Sequence, residues 1–453
     1  ARLYATSDGA VIPWTPITDM QISSTSAIRL HSILRAVTGN LDIVGGETLG
    51  GFNPDYIPES EIGLHEALSP EQKAKQLGYT KHPAYTYRVA EMLKEPTEKV
   101  WGYPYADIVM GCQMANPTEV FRAMATGDPY PVKAFFTLGN NSLLSYPNQH
   151  QILKAMMNQE LIVAHELFMT PTAMLADYVL PGDVFTERNH VADTWNWSTR
   201  LSLSQKIVEP PEQCSSTFRF WRDLALRFGF EEHFPWETLE DMLDYRLSRS
   251  NRTFAEFETG GFMEMPTPGF RKYRKTGFAT PSGKVELYSS VLEDLGFDPL
   301  PYHREGPATS EEYPYRVFTG VREDPFFQTG QRNIKELRDR CPVPRVFIHP
   351  EDAEKEGLQD EEWIQLETPQ GKVSAQLSVQ ASMKQGHLRV PHGWWYPEMR
   401  GMEDLSGAFL SSDAVLCSDD DEFLDYEQGI PHFKGFPGRV VRAARPDHLE
   451  EAV

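Results

Sequence analysis

Cysteine is scarce in this chain of 453 residues: Cys112, Cys214, Cys341 and Cys417 lie far apart and form no C-x-x-C pair. That spacing excludes a zinc site or a cysteine-held cluster written within the sequence, and it leaves buried free thiols as the plain reading. Also missing is any run near the ~20 apolar residues that a membrane-crossing helix needs, so no direct membrane span is expected. Basic residues are few, 43 Lys and Arg against 65 Asp and Glu, for a formal charge of -22. Such a field repels a polyanion, which argues against nucleic acid as a partner. Any phosphate must be held locally, by helix N-termini, backbone amides and a few placed bases. No internal repeat or low-complexity tract is evident. Ala1-Arg2-Leu3 is neither an initiator methionine nor a charged start to an apolar signal core, so residues upstream are expected to have been removed.

What is present is the composition of a folding chain, 40% hydrophobic, 11% aromatic and 24% charged, long enough for two or three domains. Residues 23–38 put Leu30, Ile33, Leu34 and Val37 at helical spacing behind a Ser/Thr-rich start, and Gly39-Asn40 ends the helix. Gly45-Gly46 and Gly50-Gly51 follow in a loop. Residues 132–138 form an apolar run of strand length that breaks at Gly139-Asn140-Asn141-Ser142. Pro147 then suits the first turn of a helix carrying Ile152, Leu153 and Met156. A second strand at 161–164 starts 29 residues after the first, a separation that fits a right-handed parallel βαβ unit. A short helix opening at Thr170-Pro171 and a third strand at 178–180 complete the stretch.

Residues 205–310 read as mixed, with an amphipathic helix near 218–228, a Pro/Gly/Tyr-rich approach from 265 to 301, a turn at 280–283 and an alternating strand at 284–288. From about Tyr313 the pattern turns to short strands, at 316–321, 345–348, 363–367, 373–379, 387–390 and 439–442, with one small helix at 352–357. Such a run suggests a separate β-barrel domain.

In open α/β sheets the carboxyl ends of strands are where ligands bind. Asn141, in the turn after the first strand, could hydrogen-bond a ribose or a phosphate, although a polar turn without a ligand would look the same. Glu166, ending the second strand in His165-Glu166, could accept two ribose hydroxyls or two donors of a guanine edge. In order along the chain come residues 137–148, then 165–173, then Ala-Asp-Tyr-Val-Leu-Pro at 176–181, then Glu187.

That ordered set resembles the molybdopterin-dependent oxidoreductases of the dimethyl sulfoxide reductase family, and the chain is similar to the C-terminal portion of their catalytic subunit. Thr38-Gly39-Asn40 fits too. Thr319-Gly320-Val321-Arg322, with Gln328-Thr329-Gly330 behind it, looks like the family's cofactor-binding loop at the start of its C-terminal barrel. His349 to Ala353, Thr368 to Gly371 and Gly429 to Lys434 extend the likeness over nearly the whole chain. Residues 411–416 depart from the family, which commonly has an Asn in the matching segment.

The resemblance implies a fold of the α/β class: a doubly wound, mostly parallel-sheet domain or domains, followed by a C-terminal six-stranded (double-psi) β-barrel. Residues 1–50 would end an α/β domain, residues 51–305 would form the molybdopterin-guanine-dinucleotide-binding α/β domain, and residues 306–453 the barrel. Asn140, Asn141, His165 and Glu166 would contact one guanosine, with Glu187 and Arg188 nearby. Thr319, Gly320, Val321, Arg322, Gln328 and Thr329 would line the pterin side, and Lys434 would neutralise phosphate or donate to a pterin. The expected cofactor is Mo- or W-bis(molybdopterin guanine dinucleotide), with a 4Fe-4S cluster and the metal's protein ligand upstream of Ala1. Expected partners are a small-molecule substrate and an iron–sulfur electron-transfer subunit. His392, in the aromatic group His392-Gly393-Trp394-Trp395-Tyr396-Pro397, is the candidate for proton transfer, although core packing at the end of a barrel strand is the favoured reading of the group. The reaction would be two-electron oxo or hydride transfer, or a hydration or dehydroxylation of the kind that relatives with a similar Gly-Trp-Trp feature suggest. A cofactor-free binding module is the third possibility, and the isolated chain is expected to be inert.

Overall fold

The computed structural model describes residues 1–49, 55–108, 114–192, 200–260, 262–264, 269–399 and 405–446. The expectations for Gly50-Gly51 and for Cys112 as a buried thiol, and the start of the 265–301 stretch, lie outside them. Three parallel strands, β1 (Ala134–Leu138), β2 (Leu161–Glu166) and β3 (Tyr178–Pro181), form a sheet in the order β1-β2-β3. Their register aligns Leu138 with His165, and His165 with Leu180. The carboxyl ends of all three strands therefore stop at one level, and the loops that follow them are neighbours.

Between β1 and β2 runs a helix, Gln149–Met157, whose cap Asn148 accepts a hydrogen bond from the amide of Gln151. Pro147 precedes this cap and lies outside the first turn where the sequence placed it. The helix packs Ile152, Ala155 and Met156 against Leu143, Leu144, Ile162 and the Phe121–Met124 face of helix Pro117–Thr126. At roughly 1.5–3 kcal/mol per fully buried large aliphatic side chain, this core anchors the floor of the loops above it. A small antiparallel sheet follows, with β4 (His190–Ala192), β5 (Arg200–Ser204) and β6 (Phe262–Glu264).

The C-terminal strands are β7 (Tyr315–Val321), β8 (Arg345–Ile348), β9 (Trp363–Glu367), β10 (Lys372–Val379), β11 (His387–Pro391) and β12 (Lys434–Arg442). They close into a six-stranded barrel in the order β10-β8-β11-β7-β12-β9. Alternation decides which residues enter it. Val373, Ala375 and Leu377 of β10 join Val317, Ile348, Ile364, Leu366, Leu388 and Val440 in one core. Closure leaves no unpaired strand edge, which suits strands this short.

Several local expectations are corrected. Residues 284–288 form no strand; the Glu286 carboxylate accepts hydrogen bonds from the amides of Ser282 and Ser290, which ties the segment into a loop. Helix Ser24–Thr38 forms as expected and ends at Gly39 with φ 75°, yet Leu30 and Val37 are 52% and 63% exposed while Ser24 and Ser26 are buried. The polar face turns inward because Asp425 accepts from the Thr25 amide and hydroxyl, and the hydroxyl of Ser26 accepts from the Tyr302 amide. The small helix before β9 spans Pro350–Lys355, two residues early, because His349 caps it and Pro350 takes its first position. Cys341 and Cys417 are buried thiols, whereas Cys214 is only half-buried.

Candidate functional site

The aligned carboxyl ends of β1, β2 and β3 open onto a cavity of about 600 Å³. Asn140 and Asn141 enter it from the loop after β1, His165 and Glu166 from the end of β2, and Arg188 from the turn beyond β3. Gln328 and Thr329 reach it from the loop after β7, as does Trp395 from beyond β11. Residues as much as 255 positions apart thus share one void at the place where α/β sheets bind ligands.

Asn141 is 5% exposed, and its Oδ1 accepts from the amide (3.2 Å) and hydroxyl (2.8 Å) of Thr172. Those bonds fix the amide orientation and leave Nδ2 buried without a partner. A buried donor left unmade costs ~1–3 kcal/mol, so this Nδ2, in a residue that lines the cavity, calls for an acceptor on a ligand. Glu166 accepts from the Leu167 amide at 2.8 Å, and burial pushes its carboxyl above the ordinary carboxylate value. His165 lines the cavity, but its Nε2 pairs with the Ser215 carbonyl at 2.6 Å. Gly182 is required beside it, since a Cβ there would lie 2.9 Å from the His165 ring. Arg188 bonds the Asp183 carboxylate at 2.6 Å. Glu187 accepts from the Val184 amide at 2.9 Å, so it holds its own turn and does not line the cavity.

The other predicted residues gather at the end of the barrel, away from the cavity lining. Thr319 is fully buried and its hydroxyl donates to the Phe433 carbonyl. Lys434 is buried and donates to the Thr319 carbonyl; a Cβ on Gly320 would sit 3.0 Å from its Nζ. Burial lowers the Lys434 ammonium pKa, a shift opposed by the nearby Asp413. Val321 offers its carbonyl to the His392 amide at 2.9 Å. Arg322 is exposed and lies over the Phe327 ring, 5.1 Å from its centroid.

Two residues that the sequence reading missed organise this end. Asp413, with no exposed surface, receives the Gly393 amide at 2.7 Å, the Gly320 amide at 3.1 Å and Nδ1 of His392 at 3.1 Å to each oxygen. Burial pushes its carboxyl up, but the facing His392 and the two amides outweigh that and hold it below the ordinary value. Arg332, 1% exposed, donates to the carbonyls of Gln328 (2.7 Å) and His392 (2.8 Å). Burial brings its guanidinium down to about 10. The only sequence signal for either was a charged residue inside an apolar or glycine-rich stretch. Trp394 and Tyr396 are core residues, as packing alone would have it, whereas Trp395 donates to the Thr329 carbonyl at 2.7 Å and forms part of the cavity wall.

The cavity has the volume and donor set for a nucleotide, and the unpartnered Nδ2 of Asn141 is an observation that such a ligand satisfies. Among the described residues no group of His, Cys, Asp and Glu could hold a metal ion.

Comparison with known proteins adds the following. A family model described as molybdopterin oxidoreductase matches residues 74–227, and one described as molydopterin dinucleotide binding domain matches residues 317–421. The chain is 45% identical over 444 residues to the acetylene hydratase of Syntrophotalea acetylenica, covering 96% of this chain and 60% of that protein. It is 25% identical over 417 residues to the trimethylamine-N-oxide reductase of Haemophilus influenzae, covering 81% of this chain and 47% of the relative. Dopamine dehydroxylase of Eggerthella lenta matches at 24% over 461 residues, 82% of this chain and 43% of the relative. The solved acetylene hydratase from Pelobacter acetylenicus superposes with a TM-score of 0.92 at 44% identity, over 97% of this chain and 62% of that one. The chain thus spans between 43% and 60% of the length of these curated relatives.

Proposed function

Because the chain belongs to the molybdopterin oxidoreductases of the dimethyl sulfoxide reductase family, we propose that it is the cofactor-cradling part of a catalytic subunit that carries molybdenum or tungsten bis(molybdopterin guanine dinucleotide). Residues 51–305 would supply the guanosine side and residues 306–453 the pterin side, with residues 1–50 continuing an α/β domain whose remainder lies outside this sequence. The observation that carries the reading is the buried, unpartnered Nδ2 of Asn141, a residue lining the cavity of about 600 Å³ at the strand ends.

Within that cavity the residues divide the work by hydrogen-bonding type. Asn141 donates, Glu166 accepts, and Gln328 and Thr329 close the barrel side. Trp395 is pinned by its bond to Thr329 and excludes water from the wall between the two halves. When bound, the cofactor supplies a metal held by two dithiolenes that can exchange electrons in pairs or act as a Lewis acid. The 4Fe-4S cluster and the metal's own ligand would come from outside this sequence, and the partner would be an iron–sulfur electron-transfer subunit.

For the reaction, the likeness to acetylene hydratase at 45% identity and a TM-score of 0.92 supports hydration of a small unsaturated substrate over net oxo or hydride transfer. The full-length protein, purified anaerobically, should contain metal and pterin and should turn over acetylene with no external electron acceptor. Turnover only in the presence of an electron donor or acceptor would return the assignment to the oxidoreductase reading. Full-length protein without pterin would remove both.

A further inference from the structure

The barrel domain holds a second cavity, of about 50 Å³, and none of the residues assigned above to the cofactor lines it. Its walls are mostly apolar. Pro307 comes from the segment before β7, Leu416 and Phe423 from the stretch between β11 and β12, and Phe436 and Pro437 from β12 itself. His432 lines the same cavity and is 7% exposed. Its amide is fixed by donation to the Phe423 carbonyl at 2.8 Å, yet both ring nitrogens are buried and neither has a hydrogen-bond partner among the described residues. Two buried polar atoms left unmade on one ring, beside a void, call for a ligand.

The surroundings select that ligand's chemistry. Burial, with Arg304, Arg316 and Lys434 nearby, brings the ring pKa down to about 4, so at neutral pH the ring offers one N–H and one lone pair. The three cations do not line the cavity, and their protons go to backbone carbonyls: Arg304 to Ile22, Leu424 and Glu422, Arg316 to Gly435, and Lys434 to Thr319. The Thr368 and Ser418 hydroxyls, also in the lining, donate to the Leu416 carbonyl and the Asp420 carboxylate. An anion would therefore meet a single side-chain donor and an apolar wall, which strips its water without replacing it. Water alone does little better, since the volume holds roughly four molecules and each needs two to four polar partners. A molecule with an apolar body and one polar group matches both parts of the wall.

We propose that this cavity binds a short neutral alcohol of about four non-hydrogen atoms, its hydroxyl bonded to the His432 ring and its carbons against the prolines and phenylalanines. Whichever ring nitrogen carries the proton, a hydroxyl matches it, accepting from the N–H or donating to the bare nitrogen. The site is separate from the cavity at the strand ends, so it stands or falls independently of the cofactor reading.

The test titrates 2-propanol into the full-length protein labelled with ¹⁵N-histidine, with the His432 signals identified by their loss in H432L. A saturable ¹⁵N shift is expected, with a dissociation constant on the order of 1 mM for a ligand of this size. Acetate, equally small but charged, should bind at least about tenfold more weakly. Followed from the alcohol's own signals, binding to H432L should weaken about tenfold, the weight of one buried hydrogen bond. Should H432L fail to fold, a crystal structure of the wild-type protein treated with 2-propanol decides, and the alcohol oxygen is expected within hydrogen-bond distance of a His432 ring nitrogen. A shift that never saturates, acetate bound as tightly as the alcohol, unchanged affinity in H432L, or water alone in the cavity of the treated crystal would overturn the proposal.

Discussion

The cavity at the sheet and the end of the barrel treat their polar residues in opposite ways. At the sheet, Asn141 keeps a buried donor unpaired and Glu166 is bonded only by backbone amides of its own turn. At the barrel, Asp413, Lys434 and Thr319 are bonded to backbone amides and carbonyls around them, and Arg332 donates to the carbonyls of Gln328 and His392 although its Nε has no partner. The first arrangement leaves hydrogen-bonding capacity for a ligand; the second uses it to hold glycine-bearing backbone in place. A motif residue can therefore serve a cofactor by touching it or by shaping what touches it, and the two kinds should respond differently to substitution.

The largest separation is expected at Arg332. Replacing it with Met leaves the carbonyls of Gln328 and His392 without a donor, and should cost about 3 kcal/mol of stability in urea unfolding of the chain. An unchanged midpoint would show that the barrel end is not held as described. Gly393 to Ala should cost less, about 1–3 kcal/mol, because φ is 63° there and the added methyl meets Thr329. Its thermal midpoint is the readout. On the sheet side, Asn141→Asp retains the acceptor for Thr172 and removes the free donor, so pterin dinucleotide retention should fall at least tenfold while the folded structure survives, as near-ultraviolet circular dichroism would report. If stability collapsed with retention intact, Asn141 would belong with the barrel-end residues.

The smallest effect concerns a buried acid that makes no ion pair among the described residues. Glu427 is 2% exposed, and burial together with the neighbouring Asp425 pushes its carboxyl up to about 7, with the Tyr302 hydroxyl at 3.2 Å from each oxygen. A folded-state pKa raised above the unfolded value contributes stability that is complete below about pH 4.5 and is lost as pH rises through about 7. Asp413 is shifted the other way, so its contribution is present above the usual carboxylate range and is lost in acid. Glu427→Gln should therefore flatten the decline in melting temperature between pH 5 and 8, an effect on the order of 1 kcal/mol. A decline that persists in the variant would assign the titration elsewhere.

Much of the sheet and barrel was legible because each depends on short-range pattern. The apolar run at 132–138, the glycine break at 139 and the second run 29 residues on define a βαβ unit without reference to anything distant. Alternation along β10 does the same for the barrel. Asn141, Glu166, Gln328 and Thr329 were legible as motif residues, but Gln328 and Thr329 were expected on the pterin side, and the structure puts them in the same cavity as the two expected at the guanosine. Asp413 was not, since it acts on Gly320 and Gly393, 93 and 20 residues away, and no local spacing records such a bond. Residues 284–288 misled for the converse reason. Their alternation is genuine, but strand formation needs a partner edge, and Glu286 instead closes the segment on itself.

The central claim is that this chain cradles a pterin guanine dinucleotide with Asn141 and Glu166 on the nucleotide side. The most direct measurement is the structure of the full-length protein purified anaerobically, with its metal and pterin quantified. The account predicts a guanosine in the cavity at the ends of β1, β2 and β3, with an acceptor within hydrogen-bond distance of the Asn141 Nδ2. A cofactor bound elsewhere, or a full-length protein that carries none while this cavity stands unchanged, would contradict it.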